Sequence, residues 1–264
     1  MTRNIRLLIA YDGSRYHGWQ RQKDVATIQG AIEQQLASLI QETVTLHGAG
    51  RTDAGVHATG MVANFHSRTS LPVSTLQRGL NALLSGDIRI LQVKDMPGSF
   101  HSRFSASGKQ YRYDLCTADV LMPTRRLYMA HIPCRLDRQR LVSGMRAILG
   151  THDFSSFEAS GSRDRDNPGG RGAVRTIFHA WLQEWSEQPD CWSLYFVGDG
   201  FLRHMVRNLV GTLLQLARGR TDLDGFIDVI RVRDRRQAGP TAPACGLFLE
   251  KVFYSQPVPH QHSS

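Results

Sequence analysis

The chain has 264 residues, 41% hydrophobic and 21% charged, the balance of an ordinary globular protein able to bury a core as one large domain or two smaller ones. No apolar run approaches the roughly 20 residues that span a bilayer, and Met1 to Ile5 runs straight into a strand pattern, so neither membrane nor signal peptide is expected and the cytoplasm is the expected address. Lys and Arg number 32 against 23 acidic residues, a net charge of +9 carried mostly by arginine, which favours a polyanionic partner over a merely basic surface.

Asn4 to Tyr11 is aliphatic and ends at Asp12-Gly13, a strand and a turn. Ile28, Ile32, Leu36, Leu39 and Ile40 recur at helical spacing, which predicts a helix from Thr27 to Ile40. Two strands follow, Thr43 to His47 and Met61 to His66, on either side of a glycine-framed loop. Ser74 and Gln77 read as a capping box opening a helix with Leu76, Leu80, Leu83 and Leu84 as its buried stripe. With Ile88 to Val93 as a strand, the order is β-α-β-β-α-β, the ferredoxin-like arrangement.

The same order returns in expanded form. Lys109 to Cys116 alternates, with Tyr111, Tyr113 and Leu115 on one face. A helix from Asp137 to Leu149 buries Leu141, Met145, Ile148 and Leu149. Strands Val174 to Trp185 and Cys191 to Val197 precede a long helix from Phe201 to Arg218. A short helix opening at Thr221 and Asp224 and a strand from Leu247 to Tyr254 complete the series. The expected fold is therefore α+β: two ferredoxin-like halves with mostly antiparallel sheets and a cleft between them. The boundaries are 1–105 for the half carrying the aspartate loop, 106–254 for the half carrying a tyrosine and an arginine, and 255–264 for a disordered tail. Ser160 to Gly172 has no apolar residue and carries Arg163, Arg165 and Arg171, either a solvated loop or a basic flap that orders on RNA.

The chemistry concentrates in Gly48-Ala49-Gly50-Arg51-Thr52-Asp53-Ala54-Gly55-Val56-His57, a loop that presents a charged pair. Its Gly50-x-x-x-x-Gly55 spacing is that of a phosphate-binding loop, but Val56-His57 stands where Lys-Ser/Thr is required. A dinucleotide fingerprint fails because Asp53 occupies the third glycine's place. His47, His57 and His66 lack metal-ligand spacing, His152-Asp153 follows a helix end, and Cys116, Cys134, Cys191 and Cys245 form no Cys-x-x-Cys pair, so no metal is expected and the thiols are read as reduced and mostly buried. Asp53 is either a structural partner of Arg51 or a nucleophile or base. On the long helix Arg203 and Arg207 stand at i, i+4, and a half-buried Arg207 needs an anion, such as an ionised Asp53. Tyr111 is either core or a surface on which an extruded base stacks. Tyr11 to Arg21 mixes aromatics with arginines, as a phosphate-gripping loop does, or else caps the fold with Trp19 buried.

In order along nearly the whole chain, Ile5 to Tyr254, stand Tyr11-Asp12-Gly13…Gly18-Trp19-Gln20, Gly50-Arg51-Thr52-Asp53-Ala54-Gly55-Val56-His57-Ala58 and Phe100-His101-Ser102-Arg103-Phe104-Ser105. Tyr111-Arg112-Tyr113, Asp153-Phe154-x-x-Phe157, Val174-Arg175-Thr176-Ile177, His204-Met205-Val206-Arg207-Asn208-Leu209-Val210-Gly211 and Ala238-Gly239-Pro240-Thr241-Ala242-Pro243…Gly246-Leu247 follow. This ordered set resembles the tRNA pseudouridine synthases of the TruA type. The resemblance implies a pseudouridine synthase fold and isomerisation of uridine to pseudouridine at positions 38, 39 and 40 of the tRNA anticodon stem-loop. It also implies a homodimer, no required cofactor and tRNA as partner. It makes Asp53 the catalytic aspartate, Arg207 its ion-pair partner, and Tyr111 the aromatic beside the target base. Leu247 shapes the pocket, and Arg51 and Arg103 bind substrate. Ser85, Ser102 and Cys245 depart from the usual pattern without touching Asp53, Tyr111 or Arg207. The competing function is an inactive tRNA-binding protein or chaperone.

Overall fold

The computed structural model describes residues 2–159 and 172–255. In chain order its elements are β1 (Arg3–Tyr11), α1 (Ile28–Ile40), β2 (His47–Gly48), β3 (His57–Ser67), α2 (Val73–Leu83), β4 (Ile88–Met96), β5 (Gly108–Cys116), β6 (Ala130–His131), α3 (Arg138–Ala147), β7 (Gly150–Asp153), β8 (Val174–Trp185), β9 (Gln188–Gly198), α4 (Met205–Ala217), α5 (Leu223–Val232) and β10 (Leu247–Phe253). They fall into two compact units. One runs up to Ser107 and takes in the strand from Phe248; the other runs from Gly108 to Leu247. The basic stretch expected from Ser160, apart from Gly172, and the tail after Ser255 lie outside the described residues. Among the described residues no helix is long and apolar enough to cross a membrane.

The first unit has the β-α-β-β-α-β order read from the sequence. β1 lies between β4 and β3, antiparallel to both, and β2 pairs antiparallel with β3 at His47↔Asn64. Along the same edge of β3, β10 pairs in parallel at Phe248↔His57 and Leu249↔Ala58. The alternation of β1 puts Ile5, Leu7 and Ile9 wholly inside. α1 and α2 contribute Ile28, Ile32, Leu36, Leu76 and Leu80 to the same core. Burying a side chain of that size stabilises by about 1.5–3 kcal/mol, so the stripes, not the short helices' own propensity, hold this layer.

Local readings failed here where side chains took over backbone groups. The expected strand from Thr43 shrinks to His47–Gly48. Glu33 and Gln29, both buried on α1, account for this: Glu33 Oε1 accepts the amide of Leu46 at 2.9 Å and Gln29 Nε2 donates to its carbonyl at 3.1 Å. With both backbone groups spent on a helix, Leu46 has none to offer a ladder. The expected capping box also fails. α2 starts a residue earlier, behind Pro72, with no side-chain cap, and Gln77 instead donates to the carbonyls of Ile90 and Leu91 on β4. Leu83 is exposed rather than buried.

In the second unit β9 lies between β5 and β8, and β8 between β9 and β7, all antiparallel. β6 adds a short parallel pairing to β5 at Leu115↔Ala130. α3, α4 and α5 pack on one another, with Leu141, Met145, Leu209, Leu213, Phe226 and Ile230 buried. Leu149, expected inside, is exposed, and His152-Asp153, expected in a turn, belongs to β7. α4 begins at Met205, not Phe201. His204 sits at φ 62°, ψ −2°, a left-handed conformation through which a right-handed helix cannot continue. Arg203 is therefore outside the helix and exposed, so it shares no helical face with Arg207. The four cysteines are free thiols; Cys116 and Cys191 face each other in register across β5 and β9, and burial pushes the Cys191 thiol up to about 11.

Candidate active site

Asp53 sits in the loop between β2 and β3, and the first turn of the chain holds that loop from beneath. The loop leaves the sheet through Ala49, whose amide bonds the Val62 carbonyl at 2.8 Å, and turns where the Val56 amide bonds the Asp53 carbonyl at 3.2 Å. Thr52, 8% exposed, is the deep anchor. Its hydroxyl is hydrogen bonded to the Tyr11 hydroxyl at 2.8 Å, and its carbonyl accepts the Trp19 amide at 3.1 Å. Further along, Tyr16 accepts the Gly55 amide, and His57 Nδ1 accepts the Gly13 amide at 3.1 Å. The His57 ring, 1% exposed, stacks on Phe248 at 4.8 Å. Asp53 is left partly buried and Arg51 and Ala54 exposed.

So Tyr11 to Trp19, which composition alone suggested as a phosphate-gripping loop or a cap, is a cradle for the aspartate loop, with Trp19 buried. Gly18 shows how tight the fit is. It holds φ +91°, and a Cβ there would come within 2.4 Å of the Thr52 carbonyl oxygen. Gly18→Ala is expected to cost about 2 kcal/mol in backbone strain. Its Tm should fall by roughly 4–8 °C, and turnover should fall with it because Thr52 shifts. Thermal denaturation alongside an activity assay checks this; an unshifted Tm would refute the cradle.

The second unit places Tyr111 on β5, opposite Phe196, 7% exposed and edge-on to Phe201 at 5.0 Å. Its neighbour Tyr113 is fully buried and donates to the Pro243 carbonyl at 2.9 Å; burial pushes its hydroxyl far above the usual phenol range, against the nearby charge of Arg207. Arg207 lies in the first turn of α4, partly buried. Its Nε donates to the Ala242 carbonyl at 2.7 Å, and its own carbonyl accepts the Ala242 amide at 3.1 Å. One residue on, Asn208 is wholly buried: its Nδ2 donates to the Phe157 carbonyl, and its Oδ1 accepts from Thr241 and Arg235. Gly211 lets the 238–243 loop lie on the helix, since a Cβ there would meet the Pro240 carbonyl oxygen at 1.7 Å. Leu247, 5% exposed, opens β10 just after this loop.

Arg235 escaped the sequence reading. Its Nη1 donates to the carbonyls of Ala238 and Gly239 and its Nη2 to Asn208 and Thr241, so one guanidinium ties three groups of the arm that backs Arg207 to Asn208 on α4. In the run Arg231-Val232-Arg233-Asp234-Arg235-Arg236 nothing marks it out, because it reads as one of several solvated charges. Asp53 and Arg51 thus share one loop of the first unit, and Arg103 is exposed on the turn after β4. Tyr111, Arg207 and Leu247 belong to the second unit. Among the described residues no three of His, Cys, Asp or Glu are grouped to hold a metal ion.

A family model described as tRNA pseudouridine synthase matches residues 7–105 and 145–255. The chain is 52% identical over 252 residues to tRNA pseudouridine synthase A 1 of Desulfotalea psychrophila, a match covering 96% of this chain and 100% of that protein. It is 40% identical to tRNA pseudouridine synthase A of Acetivibrio thermocellus and 38% identical to that of a Thermoanaerobacter species, each over 252 residues, 96% of this chain and 100% of the relative.

Proposed function

The chain belongs to the tRNA pseudouridine synthase family, and from that premise we propose that it isomerises uridine at positions 38, 39 and 40 of the tRNA anticodon stem-loop. The observation that carries the reading is the aspartate loop itself. Thr52, Gly55 and His57, on either side of Asp53, are bonded to Tyr11, Trp19, Tyr16 and Gly13 of a second motif, within a chain that matches synthases over 96% of its length. The reaction breaks the N1–C1′ bond, turns the uracil and joins C5 to C1′, with the C5 proton lost to solvent and one gained at N1. It is redox-neutral, so it calls for no electron carrier.

Asp53 is the proposed catalytic carboxylate, acting by addition to the nucleotide or by taking the ribose 2′ proton, and then serving as base at C5. Arg207 is its proposed partner, on the ground that a half-buried arginine needs an anion. Tyr111 is proposed to lie beside the extruded base, Leu247 to shape the pocket, and Arg51 and Arg103 to bind substrate. A base inside a stem must leave its stack before reacting, and a net charge of +9 suits a protein that grips the backbone meanwhile. We place the protein in the cytoplasm with its tRNA. The test is tritium release from tRNA labelled at C5 of uridine. Release from the anticodon arm is expected; a protein that binds the same tRNA and releases none would be the inactive binding protein.

We also propose a homodimer, supported by exposed apolar side chains along one segment of the second unit. Val120 is 80% exposed and Met122 60%, with Leu127 and Tyr128 beside them in sequence at 39% and 41%. So many large apolar side chains in nine residues suit a covered face. Sedimentation equilibrium is expected to give a dimer for the wild type and a monomer for Val120→Asp with Met122→Asp. A double variant that stays dimeric would move the interface elsewhere, and a monomeric wild type would end the proposal.

A further inference from the structure

Outside the aspartate loop, the first unit holds one large ring out into water. Phe104 is 77% exposed, on the turn that follows β4. Its exposure is built in. His101 Nδ1 accepts the amides of Arg103 at 3.1 Å and Phe104 at 3.4 Å, while the Ser105 amide bonds the His101 carbonyl and the Ser105 hydroxyl accepts the His101 amide. Beneath the turn Ser102 is wholly buried. Its amide donates to Asn64 Oδ1 on β3 at 2.9 Å and its hydroxyl to the His47 carbonyl on β2, and Asn64 in turn donates to Asn4 on β1. Three strands therefore pin the turn that points Phe104 outward.

The surroundings of the ring select its partner. The His101 ring lies 4.4 Å from Phe104 and the His47 ring 5.2 Å from His101, while the Arg103 guanidinium lies over Phe104 at 5.7 Å. Burial, with the charges of His47, Arg103 and His66, lowers the basicity of His101, in keeping with an Nδ1 that accepts two amides. One flat ring flanked by a guanidinium, with exposed Arg103 and Ser105 rather than aliphatic neighbours, offers too little apolar area for a protein groove or a lipid surface. It fits a base on the ring with its phosphate on the arginine.

We propose that Phe104 and Arg103 form a stacking platform for one unpaired nucleotide of the substrate RNA, distinct from the uridine that reacts. This rests on the tRNA reading above. It makes Phe104 a binding residue and gives Arg103 a definite task, to hold the phosphate of the stacked nucleotide.

The test is titration of full-length tRNA with the whole protein and its Phe104→Ala, Phe104→Leu, Phe104→Trp and Arg103→Ala variants. Ala and Leu are expected to weaken binding about tenfold, because neither offers a π face, while Trp binds at least as tightly and its emission is quenched. The dependence of log K on log salt should keep its slope in the Phe104 variants and lose about one unit in Arg103→Ala. Circular dichroism confirms folding, which an exposed side chain should not disturb. Ala and Leu variants that bind like wild type, or a Leu variant that alone does so, would overturn the platform while leaving the tRNA reading intact. A wild type that binds no tRNA would bring down both.

Discussion

Replacing Asp53 by Asn is expected to abolish tritium release, with kcat down by a factor on the order of 10³–10⁶ while tRNA affinity stays within about twofold. Asn has the size and shape of Asp. Three of the loop's supports do not use the carboxylate: the Asp53 carbonyl closes the turn on Val56, the Thr52 hydroxyl meets Tyr11 and the Thr52 carbonyl meets the Trp19 amide. What the variant loses is an oxygen able to add to carbon or take a proton. Asp53→Glu keeps the chemistry but displaces it by about one bond length, a shift worth roughly a hundredfold when reacting atoms must be aligned. Single-turnover assays at saturating tRNA, with filter binding, separate the two effects. Turnover retained in Asp53→Asn would remove this residue from the mechanism.

Arg207→Ala should lower kcat by about 10²–10³, with a smaller change in KM. A structural role for Arg207 has to be weighed against this, because its Nε already serves the Ala242 carbonyl at 2.7 Å. Losing one such bond costs about 1 kcal/mol of stability, and the backbone bond between Ala242 and Arg207 survives the substitution. A purely structural arginine thus predicts a Tm shift of a few degrees and near-normal turnover of the folded protein. An arginine that works through Asp53 predicts more: Asp53→Asn with Arg207→Ala should be no worse than Asp53→Asn alone, since groups acting as a unit are not additive. Losses that simply multiply in the double variant would separate the two residues.

Much of the fold was legible in the chain because it was written in local pattern. The aliphatic run from Asn4 to Tyr11 and the stripe of Ile28, Ile32 and Leu36 placed β1 and α1 to within a residue, whereas the cap on α1, Thr27 accepting the Gly30 amide at 3.3 Å, is seen only in the structure. β8 stands at Val174–Trp185 as read. The failures share a cause. Gln77 looked like half a capping box because its spacing was right, but its side-chain amide donates to β4 carbonyls and α2 starts with no side-chain cap. The long helix looked continuous through Phe201 because its apolar residues continue, whereas the left-handed turn at His204 leaves no mark in hydrophobic period. The candidate site divides along the same line: Asp53, Tyr111 and Arg207 stood out by residue type and motif, while Arg235 and the use of Tyr11 to Trp19 as a cradle did not.

By itself the sequence determined the order of the longer elements, the basic character and the motifs that place this chain among the tRNA pseudouridine synthases, since each depends on residue identity over short spans. Only the tertiary structure decided what keeps the functional side chains still. Thr52 is held by a carbonyl–amide bond to Trp19, Arg207 by two bonds to Ala242, and Phe104 is pushed into water by Ser102 and Asn64. Many of those partners are backbone groups. Nearly every residue carries the same amide and carbonyl, so their choice of partner is made by proximity in the folded chain and has no signature in the letters.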